Sequence, residues 1–507
     1  MTDAWLIAPV AVPAMTAAFL VLAFRHSLTA QRIVSVAATG FQLAVAIGLY
    51  GLAGDGEPRT YLLGDWPPPF GIVLVLDRLS ATMLLLTGVL AFGVVLAALG
   101  KWDRRGRHFH VLFQFQLLGL NGAFLTGDLF NLFVFFEVLL IASYGLMLHG
   151  GGAGRLKAGF HYVAINLIGS TVFLFAVGLI YAVTGTLNMA DLAVKVPQTA
   201  AADQALLATG ALLLLAVFAI KSAMVPLHWW LPATYGTTSP PAAALFAIMT
   251  KVGAYSIIRV YTLIFGADAG ALAGIATPWI LPAGILTLAL GTLGVLASRS
   301  FVNLVCYSLI ASMGTLLIAI GLASAAGFAA ALYYAVQSTI ASAALFLLAG
   351  ILKQDAHDRT RPTPIAQPAL LPAAFYFLLA IAMVGMPPLA GFVGKLLILD
   401  AGRAAAQTTV VWTAILVTSL LLIVGFARTG IRMFWTTPAP AKAEPAAATP
   451  VVPTTVVGGL IAAVAALGLL AGPVMDDMTA TAEQLLAPQR YIATVLQPHA
   501  PPAPVGD

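Results

Sequence analysis

A chain of 507 residues that is 61% apolar and only 8% charged cannot build a water-facing surface, because soluble domains average about 25% charged residues. Its mean hydropathy of +0.98 makes lipid its main solvent. The net charge of +5 is informative through its placement, and the single cysteine, Cys306, excludes a disulfide scaffold.

Apolar runs bounded by polar residues, proline or glycine fall at about 4–24, 33–52, 77–99, 108–126, 129–149, 159–183 and 204–235. They continue at 240–265, 274–297, 301–321, 327–351, 369–402, 409–432 and 453–473. At roughly 20 residues per span, these runs predict an all-α polytopic membrane protein with about fourteen transmembrane helices. Met1-Thr2-Asp3-Ala4-Trp5 has no basic region before its apolar stretch, so the first run reads as a retained helix rather than a signal peptide. The seventh and twelfth runs are too long for one simple span and contain Pro226 and Pro387-Pro388. Proline removes a backbone donor and clashes with the preceding turn, so both read as broken helices. Segment 435–453, rich in Pro, Ala and Thr, reads as a flexible linker. The tail from 474 begins as an amphipathic surface helix carrying Met475, Met478, Leu485 and Leu486, and its end reads as disordered.

Lys and Arg number fifteen in and beside the loops after the odd-numbered runs, against five after the even-numbered runs and in the tails. This alternating bias places both termini on the non-cytoplasmic side. Pro226 and Pro388 lie 162 residues apart, and the runs starting near 108 and 274 lie 166 apart. Five helices per copy is an odd number, so the copies sit in opposite orientations. The organisation expected is 1–107 (three helices), 108–265 and 274–432 (inverted five-helix repeats), and 433–507 (linker, last helix and external tail). Paired broken helices in inverted repeats point to transport near the midplane.

Glu137 is the acidic residue placed mid-span, within Phe135-Phe136-Glu137-Val138. Lys221, Lys251, Arg259 and Lys395 are the intramembrane cations. Each charge at that depth costs about 2.5–3.5 kcal/mol even on insertion-based scales, so these groups should pair, face water or exchange protons. Lysine can give up its proton where arginine stays charged. Two ammonium groups about 6 Å apart at an effective dielectric of 20 repel by roughly 2.8 kcal/mol, so a proton arriving at one favours release from the next. Glu137, Lys221, Lys251 and Lys395 therefore read as a proton relay, whereas Arg259, near a membrane interface, reads as structural. A structural ion pair or snorkelling is the competing reading for each lysine. His228 follows the first break and is a candidate for relay or hydration, or for anchoring beside Trp229 and Trp230. His108 and His110 flank a basic loop and read as surface residues. No metal-ligand cluster, cofactor motif or catalytic constellation stands out, and Gly150–Gly154 follows no strand and matches no phosphate-binding loop. A nucleic-acid partner is not expected.

Four stretches carry a resemblance to a known family. They are Gly127-Asp128-Leu129-Phe130-Asn131 running to Glu137, Lys221 to Pro232, Ser239-Pro240-Pro241 leading to Lys251, and Gly385-Met386-Pro387-Pro388 running to Lys395. On these the chain resembles the D-type subunits of the Mrp multisubunit monovalent cation/proton antiporters, and more distantly the antiporter-like subunits of respiratory complex I. The resemblance implies inverted repeats, a Glu137–Lys221 pair, a central Lys251, an exit-side Lys395, and other Mrp subunits as partners in a bacterial inner membrane. The function implied is proton translocation in a Na⁺ or K⁺/H⁺ antiporter; the alternative is a pumping subunit of a complex I-like or hydrogenase-like redox complex. Gln337 and Ser338 fall in a stretch where many such relatives carry a histidine at the position of Gln337. A neutral glutamine holds water in a chain but does not itself bind and release a proton.

Overall fold

A computed structural model describes residues 3–352, 370–435 and 450–496; of the linker expected at 435–453, residues 436–449 lie outside the described residues and 451–453 open a helix, and the end of the tail lies outside them too. The first helices are α1 (Ala8–Ala23), α2 (Leu28–Ala53) and α3 (Arg78–Ala98). Between α2 and α3 a short antiparallel hairpin pairs β1 (Arg59–Leu62) with β2 (Val73–Leu76), Arg59 opposite Leu76. All four β2 residues are buried, and Val73 and Leu74 pair onward with the turn at Thr126–Gly127. No strand is expected here from the sequence, because four buried residues in a row carry no strand periodicity.

Then follow α4 (Phe109–Leu125), α5 (Leu129–Leu148), α6 (Ala153–Thr184) and the short α7 (Met189–Lys195). The seventh run is broken: α8 (Gln204–Lys221) stops at Lys221 and helix resumes only at α9 (Trp230–Tyr235). Pro226 sits in the gap, and Thr287 Oγ1 accepts the Val225 N–H there at 3.0 Å. The eighth run comprises α10 (Pro240–Phe246) and α11 (Met249–Leu263). Two i→i+3 bonds, Ala247 N to Ala244 O and Ile248 N to Leu245 O, tighten the turn between them, just before Lys251. Further on come α12 (Thr277–Ala297), α13 (Phe301–Gly321) and α14 (Ala325–Ile351). The twelfth run is broken as well, α15 (Leu370–Val384) being separated from α16 (Ala390–Ala401) by the Gly385–Leu389 segment. The remainder is α17 (Thr408–Phe434), α18 (Val451–Leu469), α19 (Ala471–Leu486) and α20 (Gln489–Leu496).

Among the described residues twelve helices are long and apolar enough to cross a membrane, and Phe109–Leu125 and Leu370–Val384 are shorter apolar helices. Side-chain caps start several of them: Asp128 accepts the Asn131 N–H at 2.8 Å and Ser324 the Gly327 N–H at 3.1 Å. Each cap satisfies a donor that the helix leaves open. α14 runs through the middle of the bundle, against α10, α13, α15, α16, α18 and α19.

Two surface expectations are corrected. One side of the amphipathic helix α19 packs on protein: Met478 and Leu485 are buried while Leu486 stays exposed, and Asp477 takes hydrogen bonds from Tyr50 and Arg78 at 2.6 Å each. His110 is buried too, with Nε2 3.5 Å from Asp103 Oδ2, which also pairs with Arg32 at 2.5 Å. The loop carrying Asp103 folds over the end of α4 and covers the ring. Burial raises the Asp103 carboxyl, but the two hydrogen bonds from Arg32, with the His110 ring close by, outweigh it and hold the group well below the usual carboxylate range. A depressed carboxylate adds stability that is fully present above its unfolded value of about 3.9 and is lost as pH falls through the lower folded-state value. Asp103→Asn should therefore lower the melting temperature of the purified protein at pH 7, equivalent to about 1.5–3 kcal/mol for a lost charged hydrogen bond. The difference between variant and native protein should shrink in melts taken progressively below about pH 4.

Candidate functional site

Lys221, Lys251 and Lys395 are buried at 8%, 1% and 5% exposure, so none reaches the interface by snorkelling. Each sits beside an interruption of helical backbone: Lys221 ends α8, Lys251 follows the tightened turn before α11, and Lys395 lies one turn into α16. Such interruptions leave carbonyls and helix ends able to face polar groups inside the bundle.

Glu137, half-buried on α5, accepts a hydrogen bond from Ser170 Oγ on α6. One turn earlier on α6, Asn166 Oδ1 accepts a bond from Lys221 Nζ at 2.9 Å. The carboxylate and the amine thus bind neighbouring positions of one helix face and make no direct ion pair. Phe136, next to Glu137, presents its ring 5.8 Å from the Lys221 ammonium. A small cavity of about 10 Å³ beside Lys221 is lined by Tyr162, Asn166, Trp230, Met249 and Val252, enough for roughly one water. Trp230 stacks on Tyr162 at 5.5 Å and also lines a larger cleft of about 690 Å³, forming the wall between the two.

α11 approaches the same region. A Cβ at Gly253 would lie 2.5 Å from Ser222 Oγ and 2.7 Å from Ser222 N, so only glycine lets the helix pack on the residue after Lys221. Lys251 Nζ, fully inside, has no hydrogen-bond partner among the described residues. A buried cation without acceptors is costly.

Lys395 is different. Its Nζ donates to Val384 O at 2.6 Å and to Ser419 Oγ at 2.8 Å, and Gln337 Nε2 donates to Ala382 O at 3.0 Å. Both therefore satisfy open carbonyls at the end of α15. Gly391 permits this approach, since a Cβ there would run into Ala382 O. Ser338 bonds its own helix at Ala335 O, 3.4 Å away, and Ser342 approaches Met383 Sδ at 3.8 Å. His228, in the first break with Pro226, is half-buried with Nδ1 unpartnered. Arg259 forms a two-point pair with Asp77 at 2.6 and 2.8 Å, a structural arrangement away from these groups. Among the described residues no three His, Cys, Asp or Glu side chains group to hold a metal.

Asn166, Ser170, Tyr162 and Ser419 are not singled out as site residues by the sequence, and their contacts come from the fold. For the first pair a signal was legible: two polar residues four apart inside an apolar run share a helix face.

Residues 126–422 match the family described as NADH:quinone oxidoreductase/Mrp antiporter, transmembrane. The chain is 41% identical to the D-type subunit of a probable K(+)/H(+) antiporter from Rhizobium meliloti (strain 1021), covering 97% of this chain and 98% of that one. It is 36% identical to the D-type subunit of the Na(+)/H(+) antiporter from Bacillus subtilis (strain 168), over 97% and 99%. A solved chain of the Mrp complex from Dietzia sp. DQ12-45-1b superposes with a TM-score of 0.89 at 29% identity, over 98% of this chain and 100% of that one. A chain of respiratory complex I from Thermus thermophilus shares the fold, with a TM-score of 0.78 at 24% identity over 95% and 99%. With this match across most of its length and lysines buried at its helix breaks, the chain belongs to the NADH:quinone oxidoreductase/Mrp antiporter family of multi-pass membrane proteins.

Proposed function

We propose that this chain is the proton-translocating D-type subunit of a multisubunit Na⁺ or K⁺/H⁺ antiporter, working with other Mrp-type subunits in a bacterial inner membrane. The D-type antiporter names of relatives at 41% and 36% identity support this; the complex I likeness at 24% identity carries the fold alone. Protons pass along Glu137, Lys221, Lys251 and Lys395, with 108–265 and 274–432 acting as inverted repeats and both termini on the non-cytoplasmic side. Pro226, Pro387 and Pro388 open the two long spans beside the relay, and His228, Gln337 and Ser338 hydrate it.

The observation that carries the reading is Lys251, a buried amine with no acceptor among the described residues. A cation that stabilises nothing around it is explained by exchange of its proton with neighbours. Lys251→Met keeps the volume and removes the charge. The expected result is a complex that assembles with unchanged or raised melting temperature, while antiport in inverted vesicles falls by roughly tenfold or more. Unchanged antiport, or loss of assembly, would mean that Lys251 serves the fold and not the relay.

A further inference from the structure

The 690 Å³ cleft beyond Trp230 lies between α6, α9, α12 and the start of α13. Lys157, His161 and Arg299 line it with Asn303 and Tyr307, and no lining residue is acidic. All three basic side chains are exposed, and neither Lys157 nor Arg299 has a carboxylate partner among the described residues. Two cations, Lys157 and Arg299, around one cleft repel each other unless an anion is present, and His161 adds a polar ring beside them. The cleft borders the loops after the fifth, seventh and ninth runs, the side where the chain concentrates Lys and Arg. Its rim is suited to an interface: Trp229 is 53% exposed, and Leu156 and Phe160, adjacent to Lys157 and His161 on α6, are exposed apolar residues. Tryptophan and basic side chains at one level mark the headgroup layer. The volume falls within the range of small-molecule sites, roughly 300–1,000 Å³.

We propose that this cleft binds the headgroup of an anionic phospholipid, its phosphate held by Lys157, His161 and Arg299 and its acyl chains lying against Leu156 and Phe160. Basic pockets between membrane helices on the cytoplasmic side suit such headgroups. A bound phosphate also offsets the positive field outside the Trp230 wall next to Lys221. That consequence rests on the proposed relay; the binding does not.

The test uses the intact complex in detergent, washed of endogenous lipid and titrated with phosphatidylglycerol, cardiolipin or phosphatidylcholine under native mass spectrometry. Either anionic lipid should be retained in preference to phosphatidylcholine. Lys157→Gln with Arg299→Gln should weaken that retention roughly thirtyfold, at about one surface-charge contribution per residue. Arg25→Gln with Lys101→Gln, outside the cleft, should leave it unchanged. Equal retention in both double variants overturns the site. Displacement of the lipid by millimolar inorganic phosphate makes the ligand a soluble anion and overturns the lipid assignment, as does protection of Lys157 from amine reagents by a neighbouring protein chain in the delipidated complex. Retention is read without transport, so a failed relay leaves this result standing, and the reverse holds too.

Discussion

Lys221→Ala in the assembled complex should lower antiport by roughly a hundredfold or more, the loss expected when a positioned proton-transfer group is removed. The amine is buried at 8% exposure and bonded to Asn166 Oδ1 at 2.9 Å. It shares a cavity of about 10 Å³ with Tyr162 and Trp230, so a truncated side chain leaves no titratable group at the end of α8. Lys221→Arg separates charge from exchange: it keeps the cation but holds its proton, and should be as inactive as alanine. Because α6 links the amine to the carboxylate through Asn166 and Ser170, Asn166→Leu should slow transport by roughly tenfold while leaving both charged groups in place. Proton release from the acidified lumen of inverted vesicles, followed with a pH-sensitive dye after addition of Na⁺ or K⁺, reads all three. Full antiport in Lys221→Ala would remove this residue from the pathway; full antiport in Lys221→Arg would show that only its charge matters.

The second large effect concerns stability. Arg259 and Asp77 are 4% and 2% exposed and joined at 2.6 and 2.8 Å. Burial pushes the Asp77 carboxyl up, but Arg259 and the Ser80 bonds outweigh it and hold it below the usual carboxylate range. Arg259→Met strands that carboxylate inside the protein, and breaking one side of a buried pair costs about 3–5 kcal/mol. It also takes the guanidinium from beneath the Tyr491 ring, 5.2 Å away, where α20 packs. Adding Asp77→Asn should recover most of the loss, because asparagine still caps α3 and carries no charge to strand. Thermal unfolding of the detergent-solubilised complex measures both variants. Equal melting temperatures for the single and double variants would show that the charge pair is not what holds these segments together.

The membrane architecture was legible because lipid imposes one rule on every span: about 20 apolar residues with their backbone bonds satisfied internally. Pro226 and Pro387-Pro388 break that rule, and the helices do stop at Lys221 and Val384. A lone Glu or Lys in an apolar run is visible for the same reason, since hydrocarbon makes it expensive. The hairpin at Arg59–Leu62 and Val73–Leu76 escapes a sequence reading because its packing against the Thr126 turn is a long-range contact that no local pattern carries. His110 looks exposed in the sequence because it borders a basic loop, and only the fold brings Asp103 and Arg32 over it.

Which residues are charged at membrane depth, and where the helices must break, are consequences of residue type and solvent, so the chain alone determined them. Whom each charge meets is a matter of distances between segments far apart in sequence. Lys221 and Asn166 are separated by 55 positions, yet touch; Arg259 and Asp77 are separated by 182. The tertiary structure decided that Lys395 is tied to a carbonyl and a hydroxyl while Lys251 has no acceptor among the described residues, because a hydrogen bond depends on a few tenths of an ångström that periodicity does not encode.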